Sequence, residues 1–89
     1  MKPETITRLM NWVELYQKAV RYHTEQAKES YQTSKTTDIP EYASIQRAKA
    51  RKEVHTVVWM RRRLKQAKKR LLEALMIEFN VTDYVTKEN

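Results

Sequence analysis

Apolar side chains recur every three or four residues through most of this 89-residue chain. Pro3 suits the first turn of a helix, and no helix breaker follows it before residue 33. The 3-4 spacing places one series of side chains on a single helical face. This series consists of Ile6, Leu9, Val13, Tyr16, Val20, His23 and Ala27, with Tyr31 near the same stripe. It predicts a first helix over about residues 3–33.

A second apolar series predicts a second helix over about residues 40–79. Its face consists of Ala50, Val54, Val57, Met60, Leu64, Ala67, Leu71, Leu75 and Phe79. We expect Asp38 to be the N-cap of this helix, with Glu41 completing a capping box and Pro40 in the first turn. The polar segment 34–39 is then the loop between the helices. Weak helix formers near residue 54 would permit a bend at 52–56, which would give three helices instead of two.

The end of the second helix is predicted from Asn80, because asparagine tolerates the left-handed conformation of a C-terminal cap. Residues 80–89 form a tail that we expect to fray or to dock loosely. The whole chain, 1–89, is thus expected to form one all-α domain, a long antiparallel helical hairpin.

Glycine and cysteine are both absent, which excludes several classes of site. Without glycine there is no phosphate-binding loop or dinucleotide fingerprint, and tight β-hairpins are disfavoured. Without cysteine there is no disulfide and no thiolate zinc site, which fits the cytoplasm. No apolar run is long enough to cross a membrane, and the first ten residues lack the apolar region of a secretory signal.

The first helix carries a second apolar stripe, formed by Trp12, Leu15, Ala19 and Tyr22. A helix that is apolar on two faces needs two neighbours. We therefore expect a homodimer in which two hairpins complete a four-helix bundle, with this stripe at the interface. A partner protein that covers the stripe is the competing interpretation, and scattered exposed apolar residues are also normal on protein surfaces.

The net charge is +7, and the excess of cations lies in the second helix: residues 41–75 carry 11 basic and 3 acidic side chains. The cations directed away from the apolar face include an exposed tryptophan among them, which suits base stacking beside phosphate contacts. Arg61 and Lys68 lie at the edge of the core, where they would snorkel. The candidate binding residues are Arg51, Lys52, His55, Trp59, Arg62, Arg63, Gln66, Lys69 and Arg70.

These patterns favour a non-enzymatic binding protein that contacts nucleic acid, DNA or RNA, through the second helix. An acidic protein surface is an alternative partner, and a plain solvated basic face is common. A second hypothesis is an inhibitor or adaptor, of the phage or mobile-element type, that binds a host nuclease, polymerase or CRISPR effector through Trp, Tyr and Arg anchors. No catalytic residue, metal site, cofactor, membrane contact or small-molecule substrate is predicted, because the acids are scattered and no ligand set converges.

Overall fold

The computed structural model describes residues 3–81, which form two α-helices. Helix α1 comprises Pro3–Thr36 and helix α2 comprises Pro40–Glu78. The helices pack against each other as an antiparallel pair, so the all-α helical hairpin is confirmed. The hairpin is a single layer of helices, with principal extents of 60 × 29 × 13 Å. No helix in residues 3–81 contains a stretch long and apolar enough to span a membrane.

The turn between the helices is shorter than the predicted loop over 34–39, because α1 extends to Thr36. Ser34 is buried against α2, and its hydroxyl donates a hydrogen bond to the Tyr31 carbonyl at 2.6 Å. The Thr36 hydroxyl donates to the Gln32 carbonyl at 3.1 Å. These polar side chains bond to their own helix, and packing then outweighs their weak helix propensity.

The predicted N-cap at Asp38 is wrong, because α2 has Ile39 as its N-cap, with no hydrogen bond from a capping side chain. Pro40 explains the shift. A residue before proline is driven into the extended region, and Ile39 has φ −98° and ψ 110°. Helix α2 then starts at Pro40, where the missing N–H costs nothing. The Thr37 hydroxyl accepts a hydrogen bond from the Ile39 N–H at 3.3 Å, which closes the turn.

Each helix contributes one unbroken 3-4 series of buried or half-buried positions to the contact, which we call the seam. On α1 these are Ile6, Leu9, Val13, Tyr16, Val20, His23, Ala27, Ser30 and Ser34. On α2 they are Ala43, Gln46, Ala50, Glu53, Val57, Met60, Leu64, Ala67, Leu71 and Ala74. This spacing averages 3.5 residues, as in a two-stranded coiled coil.

The prediction for the α1 stripe therefore agrees with the seam, whereas the predicted α2 face differs from it at three positions. Leu75 is half-buried, but Ala74, which is 1% exposed, takes the seam position. Val54 is 51% exposed, and Glu53 takes the seam position beside it. Phe79 lies beyond the end of α2 and is 70% exposed. Tyr31, expected near the inner stripe, is also exposed. Hydrophobicity alone assigns Val54 to the apolar face of α2, whereas the 3.5-residue repeat of the seam requires residue 53 at that position.

Helix α2 continues without interruption through 52–56, so no third helix is present among the described residues. The β-branched residues there cost only about 0.5 kcal/mol each relative to alanine. Val57 offsets this by packing in the seam, and the Thr56 hydroxyl bonds to the Lys52 carbonyl at 3.2 Å.

The C-terminal cap at Asn80 is confirmed by its positive φ of 54°. The Val81 N–H donates to the Met76 carbonyl at 2.8 Å, and the Asn80 N–H donates to the Ile77 carbonyl at 3.2 Å. This pair of bonds is a Schellman motif, in which the residue at C′ adopts the left-handed conformation. The rest of the expected tail, 82–89, lies outside the described residues.

Candidate nucleic-acid interface

A hairpin of two helices has two broad faces, one on each side of the seam. In an antiparallel pair, the positions that directly follow the seam residues of α1 and those that directly follow the seam residues of α2 come to the same face. The groove nearest the turn follows this rule, since it is lined by such positions from both helices. Two further grooves on the same side meet at Val20 and Leu64 of the seam. The side of every charged residue can therefore be assigned from the seam and the grooves together.

One of these faces, which we call the basic face, collects cations from both helices. Glu14 is the one acid at the same positions in the described part of the chain, and it pairs with Lys18 at 3.1 Å. Of the cations, Lys28 has a weak contact of 3.5 Å to Glu25, and both side chains of that pair are exposed. The eight residues are Arg21, Lys28, Lys35, Arg47, Arg51, Arg61, Lys65 and Lys68.

The cations of the basic face border two open grooves. The first lies near the turn, where Ala27 and Ala50 form a floor between Lys28, Arg47 and Arg51. Tyr31 also lines this groove, and the Lys35 ammonium lies 5.4 Å from the centre of its ring. The small alanines let the two helices approach closely and leave room above them. This groove therefore offers cations beside an exposed aromatic ring.

The second groove lies further from the turn, over Val20 and Leu64 of the seam. Arg61, Arg62, Lys65 and Lys68 line it from α2. Arg21 and Glu25 line the adjoining surface from α1. The expectation that Arg61 and Lys68 lie at the edge of the core agrees with this placement. Their charged ends are in solvent, while their stems border apolar seam residues.

The candidate residues predicted from the sequence are all on α2, but they do not share one side of the hairpin. Arg51 belongs to the basic face. His55 and Lys69 lie on the outer edge of α2, away from α1, and Arg62 lies between this edge and the second groove, which it also lines. The remaining five lie toward the opposite broad face: Lys52, Trp59, Arg63, Gln66 and Arg70. The predicted set therefore wraps around three sides of a helix.

The opposite face, which we call the aromatic face, brings Trp59 together with the predicted interface stripe. Its centre consists of Trp12, Leu15, Ala19, Tyr22, Thr56 and Trp59, and the cations Lys52, Arg63 and Arg70 lie on the same side. Its large side chains are all exposed, and Trp59 is 49% exposed. The Arg63 guanidinium lies 4.9 Å from the centre of the Trp59 ring, and the rings of Trp12 and Tyr16 stack at 5.7 Å.

A polar pair in the seam fixes which residues of the two helices are level with each other. His23 Nδ1 lies 2.5 Å from Glu53 Oε2, and the two side chains are 26% and 21% exposed. Trp59 follows Glu53 by six residues, and Gln17 precedes His23 by six residues. Both directions lead away from the turn, so Trp59 is level with Gln17. Trp59 therefore lies between the levels of Leu15 and Ala19, across the face from them.

Of the eight cations, the sequence-based candidate set contained only Arg51. It missed three on α1, because a single-helix projection cannot show which α1 side chains join those of α2, and four on α2 that lie closer to the seam. The seven are Arg21, Lys28, Lys35, Arg47, Arg61, Lys65 and Lys68. The signal that would have found them is the strict 3.5-residue repeat. Once Glu53 replaces Val54 in the seam, the flanking positions of both helices follow by counting.

Comparisons with family models, curated proteins and solved structures find no match for this chain.

Proposed function

We propose that this protein binds nucleic acid through the basic face, mainly by contacts to phosphates. The observation that supports this most directly is the convergence of eight cations from both helices on one side, against two acids in the described residues, Glu14 at the same positions and Glu25 at the edge beside Arg21 and Lys28. Contacts of this kind give affinity with little choice of sequence. Arginine can bind a phosphate through two parallel hydrogen bonds, and four of the eight cations are arginines.

The dimensions of the basic face are compatible with a nucleic-acid backbone. Arg47 and Lys68 are 21 residues apart on one continuous helix, which corresponds to about 32 Å. One turn of duplex DNA has a similar length, about 34 Å. Because duplex DNA carries one charge per ~1.7 Å of axis, a footprint of four to six phosphates fits within this length.

The test compares two double variants, one that alters the basic face and one that serves as its control. Arg61→Gln/Lys68→Gln removes two cations from the second groove of the basic face. Lys69→Gln/Arg70→Gln, the outer-edge variant, removes two cations of α2 that line neither groove. Each removes one arginine and one lysine, so the net charge is equal. Anisotropy of a labelled ~30-bp duplex, titrated between 50 and 300 mM salt, gives the affinity and its salt dependence.

For the unaltered protein we expect a log–log salt slope of roughly −3.5 to −5.5. The basic-face variant is expected to lose roughly thirtyfold in affinity at ~150 mM salt and about two units of slope. The outer-edge variant should bind almost as well as the unaltered protein. Equal losses in both variants would refute the assignment to the basic face. No binding by the unaltered protein at ~150 mM salt would refute nucleic-acid binding itself.

The exposed aromatic face supports a four-helix bundle made from two hairpins. A single layer of helices cannot cover both faces of the seam, and domains ordinarily need two layers. In the described residues the buried apolar side chains are only those of Ala50, Ala67 and Ala74. A second hairpin on the aromatic face would provide the missing layer. Light scattering should then give about twice the chain mass of 10.7 kDa.

The same aromatic face supports a second candidate function, an adaptor or inhibitor that binds another protein. Trp, Tyr and Arg dominate the energetics of such interfaces, and Trp12, Trp59 and Arg63 are on or beside this face. A protein that is monomeric at ~100 µM, that binds no duplex, and that recovers one stoichiometric partner after nuclease treatment would favour this candidate.

A further inference from the structure

The groove nearest the turn differs from the rest of the basic face, because it combines cations with an exposed aromatic ring. Its volume is about 660 Å³, which is in the range of small-ligand sites. Lys28 borders it from α1, and Arg47 and Arg51 border it from α2. No acidic side chain of the described residues lines this groove, although Glu25 lies 3.5 Å from Lys28 at the exposed surface. The groove therefore has the charge to hold an anionic ligand.

Tyr31 supplies the aromatic ring of this groove and is 50% exposed. Lys35 follows Tyr31 by one helical turn, and its ammonium lies 5.4 Å from the centre of the ring. Ala27 and Lys28 of the groove precede Tyr31 by one turn. The ring therefore lies between Lys35 and the groove, where a flat group can stack on it from the groove side.

The position of Tyr31 distinguishes it from the other exposed aromatic residues. At the positions that form the basic face, Tyr31 is the one aromatic residue in the described part of the chain. Trp59, the aromatic residue among the candidates predicted from the sequence, lies toward the opposite broad face. A nucleic-acid strand bound by the cations of the basic face therefore meets Tyr31 and not Trp59.

We infer that this groove binds an unpaired nucleotide of the nucleic acid, with its base stacked on Tyr31 and its phosphate bound by Arg47 and Arg51. This inference rests on the proposed binding of nucleic acid by the basic face. Bases in a duplex stack on one another, so their flat surfaces are not free, whereas an unpaired base can stack on an aromatic side chain. The two arginines are one helical turn apart on α2, and each can bind a phosphate through two hydrogen bonds.

The second groove indicates which nucleic acid fits the whole basic face. No aromatic side chain of the described residues lines this groove, so it offers only phosphate contacts beside apolar seam residues. Ala50 of the first groove and Leu64 of the second are fourteen residues apart on α2, about 21 Å. A strand with stacked bases, at about 3.4 Å per nucleotide, covers this distance with about six nucleotides. A duplex over the second groove with a single-stranded extension of this length therefore reaches Tyr31.

The experiment compares the affinities of three labelled probes by anisotropy at ~150 mM salt. The first probe is a duplex of about twelve base pairs with an extension of about six thymidines, and the second has abasic sites in the same extension. The third is a blunt duplex of about fifteen base pairs, which contains the same number of nucleotides. We expect the thymidine extension to bind at least about fivefold more tightly than the abasic extension, because only the first can stack. Charge density alone would favour the blunt duplex.

Tyr31→Ala removes the ring, and Tyr42→Ala is the matched control. Tyr42 is 44% exposed and lies near the turn, at a position of the opposite broad face. We expect Tyr31→Ala to bind the thymidine and abasic extensions equally, while its affinity for the blunt duplex changes less than about twofold. Tyr31→Phe keeps an aromatic ring and should keep the preference, as should Tyr42→Ala. Circular dichroism checks that all three variants remain helical.

The outcomes separate this inference from the proposed function. Equal affinity of the unaltered protein for the thymidine and abasic extensions would overturn the unpaired-nucleotide site and leave the proposed function standing. A preference that survives Tyr31→Ala, or that Tyr42→Ala also abolishes, would overturn the assignment to this groove.

A segment of acidic protein is the other ligand that the cations of the groove could bind, and poly-glutamate is the probe for it. Displacement of the thymidine extension by poly-glutamate as effectively as by a thymidine oligonucleotide of equal charge would overturn the nucleotide site in favour of such a segment. Absence of binding to all three probes at ~150 mM salt would overturn the proposed function, and this inference with it.

Discussion

The polar pair in the seam allows the sharpest test of how this hairpin is held together. His23 and Glu53 occupy facing seam positions where apolar residues would be expected, and their side chains are about three-quarters buried. Removal of one partner leaves the other partly buried without its hydrogen bond. We therefore expect His23→Ala and Glu53→Ala each to destabilise the protein, while replacement of both residues by leucine should stabilise it.

The size of each effect follows from burial. A hydrogen bond to a charged group contributes ~1.5–3 kcal/mol, and the residual exposure of both side chains places this one near ~1.5–2 kcal/mol. A Leu–Leu pair at the same positions buries apolar side chains in a coiled-coil seam. Replacement of buried polar pairs by packed apolar residues is often stabilising by ~1–4 kcal/mol. We expect a gain of about 1–2 kcal/mol for His23→Leu/Glu53→Leu.

Urea unfolding followed by circular dichroism measures these differences. The protein concentration must be the same for every variant, because association makes stability depend on concentration. A double-mutant cycle with His23→Ala and Glu53→Ala gives the coupling energy between the two residues. A coupling below ~0.5 kcal/mol, or a Leu–Leu variant less stable than the original, would refute the assigned role of the pair.

Three further predictions use the same unfolding assay. Val54→Ala should be neutral or slightly stabilising, because Val54 is exposed and alanine is the better helix former. Val57→Ala should destabilise the protein by ~0.5–1 kcal/mol through lost seam packing. Equal effects of the two substitutions would contradict the assignment of the seam. Asp38→Ala should change stability by less than ~0.5 kcal/mol, since its side chain caps no helix, and a loss of ~1 kcal/mol would indicate an N-cap after all. Asn80→Ala should cost about 1 kcal/mol and Asn80→Gly should cost nothing, because the backbone there is left-handed, and the reverse order would contradict the Schellman cap.

The helices and their order could be predicted because the apolar repeat of α1 is regular and helix-breaking residues are few: the chain has two prolines and no glycine. Pro40 alone is enough to place the start of α2, although the capping role was assigned to the wrong residue. Proline acts on the residue before it, so Ile39 is the N-cap and the nearby aspartate has no capping contact. At this turn, the restriction that proline places on the residue before it outweighs the preference of aspartate for the N-cap position.

The face of α2 could not be predicted correctly from its own sequence. Glu53 is a poor seam residue by hydrophobicity, and only a partner such as His23 on the other helix makes its burial favourable. That partner is thirty residues away in the chain. The candidate binding residues were those directed away from the apolar face of α2, and a single helix does not show how they divide between the two broad faces of the hairpin.

The basic face exists only when the hairpin is closed, and this links stability to the proposed binding. An isolated α2 would display its cations on three sides, as the predicted set did. The short turn and the His23–Glu53 pair set the levels at which Arg21 and Lys28 join the cations of α2. Substitutions in the seam that open the hairpin should therefore weaken duplex binding without touching a cation. Variants that keep the hairpin closed, such as the Leu–Leu pair, should bind as the original protein does.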